Sequence, residues 1–234
     1  MFTQRTSITR AAAARILGAS ALFCGVAATA DATPILRLTT SDGAMQEVAD
    51  GGLGDSNPID GVVVVLSSLG SAWSVNVTTG ISKPVLGSPS IPELDLNSVN
   101  VSTSGGPAWI DIELTDTGFT EQDAVAFVAA IGGTTSGSIS YKTYFDASNE
   151  KFGKATELTS WSGSGLPFAG SATSFLTAAT PYSLTLLVRI AHTGGAQVSS
   201  FDATLKVPEP STLLLLGSGL LALAGAARRR RSAA

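Results

Sequence analysis

The stretch WIDIELT, residues 109–115, reads as a strand more plainly than any other part of the chain. Ile110, Ile112 and Leu114 fall on one side, and Trp109, Asp111 and Glu113 on the other. That is the period-two alternation of a half-buried strand. The same pattern recurs outward from it. Toward the N-terminus, Ile35 to Thr40 and Val62 to Ser68 read as strands. Trp73 to Thr79 places Trp73, Val75 and Val77 on one side, and Gly80 is expected to end it. Leu94 to Ser102 alternates with a slip at Asn97-Ser98, which keeps Leu94, Leu96, Val99 and Val101 inward. Toward the C-terminus, Val125 to Ile131 reads as a strand despite its alanines, because Gly132-Gly133 follows. Ser138 to Phe145 puts Ile139, Tyr141, Thr143 and Phe145 on one face. Tyr182 to Ala191 is strong, and Gly194-Gly195 predicts a tight hairpin into Gln197–Val207. Ser41 to Gly61 and Asp146 to Gly170 read as long polar connections, and Ser171 to Leu176 as a weak strand. About nine or ten strands and no convincing helix predict an antiparallel β-sandwich, jelly-roll or immunoglobulin-like, over residues 31–206.

Charge excludes one class of partner. Between Asp31 and Lys206 seventeen acids stand against seven bases, a net charge of −10. Such a body repels phosphate backbones, so no nucleic acid is expected to bind. Cys24 is the sole cysteine. It allows no disulfide framework and no thiolate metal site, and the bulky Phe23 before it argues against lipidation. Arg5, Arg10 and Arg15 precede an apolar run from Ile16 to Val26, and Ala28-Thr29-Ala30 follows. Together they predict a signal peptide over residues 1–30, cut by signal peptidase after Ala30.

The other end has three unlike parts in order: Val207-Pro208-Glu209-Pro210, an uncharged apolar run over 212–227, and Arg228, Arg229, Arg230 and Arg231. A helix of that run rises roughly 24 Å, short for a hydrocarbon core of about 30 Å. Flanking residues and arginine stems extend it. The arginine cluster holds its own side in the cytoplasm, so the segment reads as a single transmembrane anchor with the folded part outside. This arrangement resembles the PEP-CTERM sorting signal of Gram-negative bacteria, a tail also labelled an ice-binding-protein C-terminal domain. The resemblance implies that an exosortase, a membrane transpeptidase, recognises the region of Pro208 to Pro210 and removes the stem. It implies an inner-membrane anchor before processing. Release or attachment then follows at the cell surface or in the extracellular matrix, often beside exopolysaccharide. Ice binding rests on the label alone, since the body lacks regular Thr-x-Thr ladders.

Catalytic signals are sparse. His192 is the only histidine, and its place before Gly194-Gly195 predicts an exposed turn residue. Gly163-Ser164-Gly165 lacks the spacing of a nucleophile elbow. Asp111 and Glu113 share a strand face about 7 Å apart, a spacing that glycoside hydrolysis tolerates, although two acids on a solvated face is the plainer reading. Trp109 and Trp161 are candidate glycan contacts, with Trp73 a third tryptophan of the same kind. The loop from Asp50 to Asp60 offers hard oxygen ligands suited to Ca²⁺, or simply solubility. The expectation is a non-enzymatic exported surface or matrix protein, with no catalytic residue. An exopolysaccharide-binding module is the alternative, and a glycoside hydrolase a more distant one.

Overall fold

Alternating apolar positions build twelve strands among the described residues, which are 33–121, 124–208 and 218 of this computed structural model. The expected signal peptide with Ala28 and Ala30 lies outside them. So do Glu209, Pro210, the stem apart from Ser218, and Arg228 to Arg231. Among the described residues no helix is long and apolar enough to cross a membrane.

The strands are β1 (Ile35–Thr40), β2 (Met45–Ala49), β3 (Val62–Leu69), β4 (Trp73–Ile81), β5 (Glu93–Thr103) and β6 (Ala108–Phe119). They continue as β7 (Ala124–Thr135), β8 (Ser138–Asp146), β9 (Thr156–Ser164), β10 (Phe168–Thr177), β11 (Tyr182–His192) and β12 (Gln197–Lys206). The first sheet has the order β2-β1-β6-β11-β8-β9 and the second β10-β7-β12-β5-β4-β3. Every pairing is antiparallel. The two inner faces share one hydrophobic core, so the architecture is an antiparallel β-sandwich. Ile110, Ile112 and Leu114 of β6 are fully buried, as are Leu184, Leu186, Val188 and Ile190 of β11. Phe201, Ala203 and Leu205 of β12 meet them from the other sheet. The slip in β5 is a bulge: Ser98 has φ 55°, and its N–H donates to Asp202 Oδ1 at 2.7 Å. Val99 and Val101 consequently stay inward with Leu94 and Leu96.

Several expectations are corrected. The connection over 41–61 contains β2, which adds to the edge of β1. Gly80 does not end β4 but lies inside it, where a Cβ would sit 2.8 Å from Leu114 Cδ1. Glycine there makes room for a leucine from the opposite sheet. The polar stretch over 146–170 holds β9, whose Leu158 and Thr159 turn inward while its serines face water. Gly194-Gly195 joins no hairpin, because β11 and β12 lie in different sheets. From β5 onward the chain crosses between sheets at every step except β8 to β9. These two glycines, at φ 119° and 80°, turn one such corner.

His192 is not an exposed turn residue. It is buried at 3% exposure as the last residue of β11. Its ring nitrogens lie 2.9 Å from Thr103 Oγ1 and 2.9 Å from Ser199 Oγ, so it ties the first sheet to β5 and β12. Trp73 is also buried, with its ring 4.9 Å from that imidazole. At the other end of the sandwich Lys83 and Asp116 form a buried ion pair at 2.8 Å. Ser82 Oγ donates to the same carboxylate, and Lys83 Nζ also donates to Thr117 O.

Two predictions follow from these buried groups. Asp116→Ala strands a buried ammonium and is expected to lower the unfolding free energy by about 3–5 kcal/mol. Joint replacement by Lys83→Met and Asp116→Leu is expected to cost far less, and urea denaturation compares the two. Burial holds His192 below the ordinary imidazole value. The unfolded chain therefore takes up more protons as pH falls through about 6.5, and stability present above that pH declines below it. Denaturation midpoints are expected to drop between about pH 7 and pH 5, with His192→Gln showing a shallower slope.

Candidate functional site

The outer face of the first sheet carries the residues with chemical potential. Alternation puts Trp109, Asp111 and Glu113 of β6 there. The register sets Ala191, Arg189 and Leu187 of β11 beside them. Next come Ser138, Ser140 and Lys142 of β8, then Ser164, Ser162 and Ser160 of β9.

Asp111 is bound by Arg189 through two parallel hydrogen bonds, Nε to Oδ1 and Nη2 to Oδ2, each 2.6 Å. That guanidinium also lies 4.3 Å from the centre of the Trp109 ring. The hydrogen bonds to Asp111 push Arg189 above its usual value. Glu113 was expected on a solvated face and is instead buried. Arg37 Nε and Nη2 reach its Oε2 at 2.8 and 2.7 Å, and Lys154 pairs with Oε1. The connection between β8 and β9 supplies the cover, with Phe152 lying 3.7 Å below the Arg37 guanidinium. The two carboxylates thus sit side by side, yet each answers to different cations. Neither faces a cleft as a free acid or base.

The tryptophans do not converge. Trp161 pairs with Tyr141, whose hydroxyl donates to Thr204 O of the opposite sheet, so both point inward. Its ring packs 5.7 Å from Phe168 and covers Gly163 and Gly170, where any Cβ would strike the indole. Trp109 points outward. Trp73 lies in the core, shielded from solvent. The residues that sequence reasoning missed are Arg189 and the serine rows of β8 and β9. The alternation Ser138, Ser140 and Ser160, Ser162, Ser164 was visible, but it gains meaning only when the two strands pair.

The loop from Asp50 to Asp60 uses its acids internally. Asp55 Oδ1 accepts the N–H of Asn57 and of Val64, and its Oδ2 accepts that of Gly51. Asp50 Oδ2 accepts the N–H of Gly61 at 2.6 Å. Burial is the main cause that raises the Asp50 carboxyl above its usual range. Among the described residues no group of three or more His, Cys, Asp or Glu is placed to hold a metal. The loop carboxylates that suggested Ca²⁺ are engaged by backbone amides. They cap the open edge of β3, where Ser56 N–H also donates to Val64 O at 3.0 Å.

The sorting end is built on the last strand. β12 is a central strand between β7 and β5 and ends at Lys206. Val207 follows with its side chain in the core and its N–H donating to Pro92 O at 3.0 Å. Pro208 comes next with no spacer.

Known proteins bear on this end more than on the body. A family model for the PEP-CTERM protein-sorting motif matches residues 206–231. No curated protein matches the chain. One similar solved structure is that of TmCBM61 in complex with beta-1,4-galactotriose, at 9% identity over 58% of this chain and 88% of that one, with TM-score 0.34. Another is the C-terminal CBM6 of LamC, a marine laminarinase from Zobellia galactanivorans, at 12% identity over 49% and 88%, with TM-score 0.23. At these scores neither likeness bears on function. From the end of its last strand to Arg231 the chain carries a PEP-CTERM protein-sorting motif, which implies an exosortase as processing partner and a route of export with membrane-associated sorting.

Proposed function

We propose that the chain is a non-enzymatic surface or extracellular-matrix protein of a Gram-negative bacterium. Signal peptidase frees its N-terminus at Ala30. The stem over 212–227 anchors it briefly in the inner membrane, with Arg228 to Arg231 on the cytoplasmic side. An exosortase then acts in the region of Pro208 to Pro210, and the β body stays at the cell surface or is released. One observation carries this reading most: the sorting motif begins at Lys206, where the folded body ends. The body is thus delivered as one piece of cargo. The ion-paired state of Asp111 and Glu113 supports a role without catalysis.

A second reading, an exopolysaccharide-binding module, is favoured by the outward Trp109 with Arg189 stacked on it. Trp161, turned inward, lends it little.

Replacing Pro208, Glu209 and Pro210 together by alanine is expected to retain the unprocessed chain in the membrane fraction at higher mass. Intact mass and fractionation read the result. A variant with unchanged mass and unchanged location contradicts the sorting assignment.

A further inference from the structure

A trough of about 470 Å³ runs along the outer face of the first sheet, at the β8–β9 edge. Its volume lies within the ~300–1,000 Å³ typical of small-ligand sites. It exists because the paired rows there carry only small side chains. Ser138 and Ser164 face each other, as do Ser140 and Ser162, with the small Ala191 of β11 beside Ser138. Arg189 forms the opposite wall. Asp111 and the Trp109 ring hold that guanidinium in place. The pair uses Nε and Nη2, which leaves Nη1 outside it, on a side chain that is half exposed.

We infer that this serine-lined trough, walled by Arg189, binds a neutral polysaccharide segment; the inference rests on the carbohydrate-binding reading above. The chemistry selects the class. Hydroxyls both donate and accept, which suits a ligand made of hydroxyls. The lining residues include no carboxylate to hold a cation. The Arg189 charge is matched by Asp111, and an excess of ten negative charges over residues 31–206 disfavours polyanions. Position agrees with the chemistry. The trough lies beside the end of β11, from which the chain turns into β12. The length of β12, about 33 Å at ~3.3 Å per residue, separates that end from Val207. The trough therefore lies at the end of the sandwich remote from Val207.

The test uses the full chain, purified in detergent, against an array of neutral gluco-, galacto-, manno- and xylo-oligosaccharides, with uronate and sulfated oligosaccharides beside them. Saturable binding to a neutral oligosaccharide is expected. Ser140→Trp, which fills the trough, and Arg189→Ala should each weaken it by about tenfold or more, since displaced hydrogen-bond partners are not replaced. Thr173→Trp on β10 of the other sheet should leave it unchanged, and thermal melts confirm folding of all three. Binding that survives Ser140→Trp overturns the trough and leaves the carbohydrate-binding reading standing. Binding only to the charged oligosaccharides also overturns it. No binding to any member of the array, neutral or charged, overturns both, while the sorting reading is untouched.

Discussion

Exclusion of water between two six-stranded sheets is the constraint on which the rest of the body depends. A single cysteine leaves no intrachain disulfide to share the task. Apolar side chains alternate inward on every major strand, and each sheet covers what the other cannot leave wet. Most polar groups on the inner faces are paired, with Trp73 Nε1 and Tyr182 Oη as exceptions among the described residues. Thr143 meets Thr159, and Thr135 meets Ser199, each at 2.7 Å. His192 joins the second of these pairs to Thr103. The same condition explains the glycine opposite Leu114, because a second methyl there would hold the sheets apart.

The excess of acid has a structural use once the outer surfaces are considered. Carboxylates gather where strand edges and turns expose unpaired amides. Asp55 and Asp50 close the β3 edge. Asp42 accepts from Thr40 and from the amide and hydroxyl of Ser71, so the β1–β2 turn is bound to the β3–β4 turn. Those hydrogen bonds hold Asp42 well below the usual carboxylate range. An edge capped in this way offers fewer amides to a neighbouring chain.

Much of the fold was legible in the residues. Ile110, Ile112 and Leu114 gave the direction of β6, and the slip at Asn97-Ser98 foretold the bulge of β5. What stayed hidden depended on long-range pairing. β9 reads as polar because its serines face water and only Leu158 and Thr159 turn strongly inward. Gly194-Gly195 has the chemistry of a hairpin, and local sequence does not state to which sheet the next strand returns. His192 looked exposed because it stands before a turn. Its buried partners lie 89 residues before it and 7 after it. Glu113 alternates outward as expected, yet the connection carrying Phe152 and Lys154 folds over it. The sorting tail was readable because its meaning lies in the order of local elements rather than in contacts.

Placing the exit of the chain on a central strand has a mechanical consequence. β12 is laddered on both sides, to β7 and to β5, along most of its length. A pull through Pro208, opposed at the far end of the sandwich, acts along that strand. It then loads the inter-strand bonds in parallel rather than one after another. An edge strand under the same tension would peel away from one end. A load applied at Val207 would therefore meet a strand held on both sides.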